Sequence, residues 1–217
     1  MLKCGIDIGG TNIKFGFFDG EKKVNSVVIK TPKVKEKVIP SIVCEIKKKY
    51  KPSDILGYTV AIPGVVLNDV VVFAPNTDIF GLNFKEELGL LLENDNIIVE
   101  NDANLQAMAE AKATDLDDLI LISIGTGLGG GIIIDGKLLN KNGFAGEIGH
   151  IKVHFGANSR MCGCGKLGCS EAYVSCKAIV KDYNDINHTN VNSKELFDLA
   201  RAKDKLAIKC INDCARY

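Results

Sequence analysis

Net charge is what this chain most plainly lacks. Across 217 residues, 27 basic side chains meet 27 acidic ones, so there is no overall positive field for a nucleic-acid backbone and no polybasic patch for a membrane. A long apolar run is missing too, which argues against a spanning helix. The opening residues MLKCGIDI read as a strand that turns at glycine, with no signal-peptide cleavage site, and the expected location is the cytoplasm. In that compartment eight cysteines argue against a disulfide framework. Five of them, Cys4, Cys44, Cys176, Cys210 and Cys214, sit in apolar patterns that read as buried free thiols. Small molecules are the expected partners, and the length suits one or two domains.

Apolar stretches of strand length dominate the first half. Residues 2 to 8, 13 to 18 and 24 to 30 read as a three-strand meander whose second turn is Asp19-Gly20. Helical spacing follows over 33 to 50 despite Pro40, then a strand at 56 to 62 stopped by Pro63-Gly64, and a short pair around 65 to 73. A helix near 83 to 93, a strand at 97 to 100 and a helix from about 103 to 113, capped by Asn101 or Asp102, complete the run.

At residue 118 the pattern begins again. IDIGGTNIKFGFFDG (6 to 20) and ISIGTGLGGGIIIDG (122 to 136) align without a gap, each reading as strand, Gly/Thr loop, strand and Asp-Gly turn. Duplication predicts two lobes, 1–116 and 117–217, each opening with such a hairpin. One such loop could be a bare turn. Two facing one cleft suit a phosphate, because outward backbone N–H groups form an anion nest and glycine admits close approach. No Walker lysine motif is present, so a P-loop is excluded.

With DIGGTN, ENDAN, GTGLGGG, GEIGH and CGCGKLGC in view, residues 4 to about 176 resemble the ROK family of sugar kinases and repressors. The resemblance implies an α/β fold of the actin-like, hexokinase-like (ribonuclease H-like) type, with mixed sheets and flanking helices. It implies that Asp7 helps hold the Mg2+ of ATP, that Gly9, Gly10, Thr11 and Asn12 meet its phosphates with added charge from Lys14, and that Gly125, Thr126, Gly127 and Gly129 form the second phosphate loop. Asp102 would be the catalytic base; from the residue alone a helix cap is the favoured reading, and the paired phosphate loops reverse it. Asn76, Asn101, Asp102, Glu147, His150 and Glu171 match positions that hydrogen-bond a sugar. Taken singly, each could be a surface polar residue.

His150, Cys162, Cys164 and Cys169 supply one imidazole and three thiols at a spacing that suits a closed, structural Zn2+ site, with His150's second nitrogen turned to the sugar. Three buried thiols beside a core histidine are the alternative. The expected reaction is phosphoryl transfer from ATP to a hexose, glucose first, with N-acetylmannosamine or N-acetylglucosamine as alternatives and a homodimer as the assembly. The segment after Pro63-Gly64 departs from the family, with Leu67 preceding Asn68 and Asp69, which leaves the hexose class intact and glucose itself open. A sugar-binding repressor or an inactive fragment is the competing class. The second lobe is expected to be incomplete, because residues beyond 155 read as helices at 169 to 182, 194 to 203 and 204 to 215 with no strands.

Overall fold

The computed structural model describes residues 1–74, 77–140 and 143–217. Two compact units emerge: residues 1–106 with Gly143 and Phe144, and residues 107–140 with 145–217. The boundary falls inside a helix, upstream of the expected division at 116, because Ala107 and Ala111 are buried with Ile133 and pack against Leu119, Leu121 and Leu138. Among the described residues no helix is long and apolar enough to cross a membrane.

The first unit is built on strand alternation. In β1 (Leu2–Ile8), Cys4, Ile6 and Ile8 are buried, and in β2 (Asn12–Asp19) Ile13, Phe15 and Phe17 are. β3 (Lys22–Lys30) completes the antiparallel meander. β4 (Ile55–Ile62) and β7 (Ile97–Asn101) extend the sheet in parallel, giving the order β3-β2-β1-β4-β7, while β5 (Val65–Leu67) and β6 (Val70–Phe73) form a separate hairpin. α1 (Val38–Lys49) lays Val38, Ile39, Ile42, Val43 and Ile46 into the same core, and α2 (Phe84–Leu92) adds Phe84, Leu88 and Leu92. Pro40 is tolerated because first-turn N–H groups of a helix have no intrahelical partner. Each fully buried isoleucine or phenylalanine stabilises the unit by about 1.5–3 kcal/mol, so Ile42→Ala would be among the costly changes. The parallel run places the carboxyl ends of β1, β4 and β7 together, with the first glycine loop, Pro63-Gly64 and α3 (Asp102–Thr114) following them.

In the second unit β8 (Leu119–Ile124), β9 (Leu128–Ile134) and β10 (Lys137–Leu138) form an antiparallel sheet with β8 outermost. One face packs on α3, while Ile120, Ile122 and Ile124 on the other are exposed. α4 (Glu171–Val174), α5 (Cys176–Asn187), α6 (Ser193–Arg201) and α7 (Lys205–Cys214) follow, the last three sharing a core of Ile179, Tyr183, Leu196, Ala207 and Cys210. α6 and α7 fall where helices are expected, whereas the expected helix over 169 to 182 is broken at Ser175, whose extended backbone ends α4 and whose side chain caps α5, which runs on to Asn187. Past β10 the described residues hold isolated bridges but no named strand.

The two hairpins differ where the gapless alignment made them equal. Ile8 faces Ile13 across the first loop, whereas Ile124 faces Leu128 across the second, which is one residue shorter. At the distal turns, Asp135 and Gly136 both have positive φ, as a tight type I′ turn requires, but Gly20 alone does in the first copy, where a register shift at Phe17/Phe18 moves the turn to Gly20-Glu21. Among the free thiols, Cys44 is exposed and Cys176 and Cys214 are half-buried, which corrects the reading of all five as core.

Candidate active site and metal centre

The first glycine loop is closed by the Gly9 N–H donating to the Asn12 carbonyl at 2.9 Å. It is also tied to the end of β3, where the Thr31 hydroxyl donates to the Gly9 carbonyl at 2.6 Å and its N–H to the Thr11 carbonyl at 3.0 Å. Sequence reading missed Thr31, since its partner lies across the sheet and no local spacing marks it. Asp7 and Lys14 are direct cross-strand neighbours, with Nζ 3.0 Å from Oδ2 and both side chains well exposed.

Asn101 closes β7 and caps α3. Its Oδ1 accepts from the Ala103 and Asn104 amides at 2.9 and 3.1 Å, and its Nδ2 donates to the Gly64 carbonyl at 2.9 Å. That fixes the Pro63-Gly64 turn beside the start of α3. Capping thus falls to Asn101 rather than Asp102, whose Oδ1 accepts from the adjacent Ala103 amide. Asp102 keeps an exposed edge, so its desolvation is partial. Protein crowded around the carboxyl still raises its pKa above the ordinary carboxylate value; the Ala103 amide opposes the rise and the negative charge of Asp7 adds to it. A carboxylate with a raised pKa at the carboxyl end of a parallel strand is equipped to accept a proton from a hydroxyl. Asn76 lies outside the described residues.

In the second unit the loop from Gly125 to Gly127 is closed by the Gly125 N–H donating to the Gly127 carbonyl at 3.0 Å, and the Cys176 N–H at the head of α5 donates to the Gly125 carbonyl at 2.9 Å. Thr126 lies in this loop, and Gly129 is already in β9. Glu171, the first residue of α4, accepts from the Leu128 N–H through Oε2 at 3.0 Å. A methyl on Gly127 would strike that oxygen, so the glycine admits the carboxylate.

His150 ends the 3-10 turn Ile148–His150, with Nδ1 3.7 Å from Cys162 Sγ and Nε2 3.8 Å from Glu147 Oε2. The second imidazole nitrogen therefore faces a carboxylate of its own chain. Cys164 and Cys169 have their sulfurs 3.7 Å apart, and all four donor atoms lie within 4.8 Å of one another. Bonds of about 2.3 Å to a tetrahedral zinc would put neighbouring ligands about 3.8 Å apart, so the donor set fits such an ion with little movement. Local geometry explains the gathering. The Cys162 N–H donates to the Lys166 carbonyl and the Gly165 N–H to the Cys162 carbonyl, which folds CGCGK into a knuckle, with Gly165 at φ +82°. The Ser170 hydroxyl and N–H, donating to the Ile148 and Ile151 carbonyls at 2.7 and 2.9 Å, bind the histidine turn to the cysteine loop. In the absence of metal, burial pushes the Cys162 thiol up. Burial acts the same way on Cys164, but there the Lys166 amide and the neighbouring thiols outweigh it and lower the value.

A mixed five-strand sheet with parallel β1, β4 and β7, a second glycine hairpin in β8–β9 and flanking helices define an α/β protein of the actin-like type. The ROK family model matches residues 3–217, and the chain belongs to the ROK family. It is 36% identical over 187 residues to the glucokinase of Streptomyces coelicolor, covering 83% of this chain and 58% of that protein. It is 29% identical to an N-acetyl-D-glucosamine kinase of Vibrio parahaemolyticus, covering 98% of this chain and 75% of the other. Among solved structures, a ROK family glucokinase from Streptomyces griseus in complex with glucose and AMPPNP matches with a TM-score of 0.85 at 32% identity, over 100% of this chain and 76% of that one. The chain thus spans little more than half the length of the Streptomyces coelicolor relative.

Proposed function

We propose that this chain carries the sugar and phosphate chemistry of an ATP-dependent kinase acting on a hexose hydroxyl, with glucose to glucose 6-phosphate as the first candidate reaction. The observation that carries the reading is Asp102: a carboxylate at the carboxyl end of parallel β7, its pKa raised by burial and by the charge of Asp7, in a chain whose relatives are named glucokinase. Asp102 accepts the proton of the attacking hydroxyl. The first loop, Gly9 to Asn12, and the second, Gly125 to Gly127 with Gly129, offer backbone N–H groups to phosphates. Asp7 is exposed and already attracts one cation, Lys14, so its carboxylate suits the Mg2+ that accompanies ATP. Asn101, Glu147, His150 and Glu171 are the candidate sugar contacts. His150, Cys162, Cys164 and Cys169 would hold a structural Zn2+, whose contribution is to order the loop that leads to Glu171. A cytoplasmic homodimer completes the proposal.

The likeness to an N-acetyl-D-glucosamine kinase favours a second substrate, an N-acetylhexosamine. ADP release with ATP and Mg2+, measured across glucose, mannose, N-acetylglucosamine and N-acetylmannosamine, separates the two. Turnover with one sugar at least tenfold above the rest identifies the substrate. Calorimetric sugar binding without turnover on any of them would instead favour a sugar-binding regulator.

A further inference from the structure

Glu171 reaches two features of the second unit at once. Its Oε2 accepts from the Leu128 N–H at 3.0 Å, 43 residues away in sequence, where the second glycine loop enters β9. Its Oε1 accepts from the Cys162 thiol at 3.7 Å. The backbone under it is held: Glu171 begins α4 directly after Ser170, which is bonded to the histidine turn, and Tyr173 is buried two residues on.

We propose that Glu171 is a positioning residue through which metal loading of the Cys/His cluster sets the second glycine loop. The proposal rests on the metal reading above. A divalent cation bound to Cys162 Sγ replaces the thiol hydrogen, which leaves as a proton to solvent, so the donor to Oε1 is lost and a thiolate stands in its place. The carboxylate charge is then left to the Leu128 N–H, and a charge-assisted bond that is no longer shared is the stronger one. Oε1, released from the thiol, becomes an acceptor for a donor of another kind, and a sugar hydroxyl is one. Metal loading thus tightens the loop and opens an acceptor, although the metal itself touches neither loop nor sugar.

The test is amide hydrogen exchange at Leu128 in protein loaded with zinc and in the same protein after chelation, with metal content measured on each sample. Ile132, within the same β9, serves as the internal reference. In the wild-type chain, metal removal is expected to speed Leu128 exchange at least tenfold relative to Ile132. In Glu171→Ala the bond is absent in both states, and in Gly127→Ala the new methyl pushes the carboxylate off Leu128 while the cluster stays intact. Both variants should keep zinc and show less than a twofold metal effect at Leu128. The proposal is overturned if zinc is bound but the wild-type Leu128 is indifferent to it, if Ile132 changes in parallel, or if Glu171→Ala retains the metal effect. A chain that binds no zinc overturns the metal reading and this coupling together.

Discussion

Lys14 Nζ lies 3.0 Å from Asp7 Oδ2 across the β1–β2 pair, and the same Asp7 carboxylate helps hold the Asp102 pKa up. Burial is the larger cause of that rise, and the Asp7 charge is the removable one. A negative neighbour disfavours ionised Asp102, so Asp7→Asn should lower the Asp102 pKa while leaving it above the ordinary carboxylate value. Carboxylate carbon NMR over a pH series reads this directly. An unchanged or higher value in Asp7→Asn would show that the two charges are not coupled.

Asp102→Asn preserves the side-chain size and removes the proton acceptor. In an active form of the protein, kcat should fall on the order of a hundredfold or more with sugar affinity nearly unchanged. In an active form with Asp102 unaltered, kcat/KM should decline on the acid side through a pKa above the ordinary carboxylate value, because the proposed base works only when ionised and its pKa is raised. Wild-type turnover with Asn at 102 would remove Asp102 from the chemistry.

Cys164 Sγ lies 3.7 Å from Cys169 Sγ, so the proposed zinc site needs both. Cys164→Ser should therefore reduce bound zinc well below one per chain and lower the melting midpoint, by about 2–4 °C for each kcal/mol of lost metal-linked stability. Elemental analysis and calorimetry on the same preparation check it. Equal zinc content in variant and wild type would mean the cluster is not the site.

Tyr58 is 2% exposed, and its hydroxyl has no hydrogen-bond partner among the described residues. Burial, with a smaller contribution from Cys4 alongside it on β1, pushes its pKa up to about 12. An unpaired buried hydroxyl carries a desolvation cost, so Tyr58→Phe should leave stability unchanged or raise it by about 1 kcal/mol. Denaturant melts would settle the point, and a loss of comparable size would reveal an ordered partner for the hydroxyl.

Much of the first unit could be read directly because β1 and β2 alternate buried and outward residues and its helices carry apolar residues at regular spacing; Ile6, Ile13, Ile42 and Leu88 all mark buried faces. The register of the second hairpin could not. A string of Gly and Thr carries no apolar mark, so Leu128 rather than Gly129 faces Ile124 without any change in the pattern on either side. The same contrast holds at the site. The Cys/His cluster is legible because three of its four donor residues lie within eight residues of one another in the sequence. Asn101's bond to Gly64, Thr31's to Gly9 and Glu171's to Leu128 join segments 37, 22 and 43 residues apart, and only the folded sheet brings them together.

The outermost strand of the second unit has a consequence for handling the protein. LILISI, residues 119 to 124, contains no charge, proline or glycine, its outer edge is unpaired by any described strand, and Ile120, Ile122 and Ile124 face solvent. Such a hexapeptide is a template for strand addition and cross-β stacking between molecules. Association through this edge should rise with protein concentration, and Ile122→Lys, which puts a charge on the exposed face, is expected to act as a gatekeeper against it.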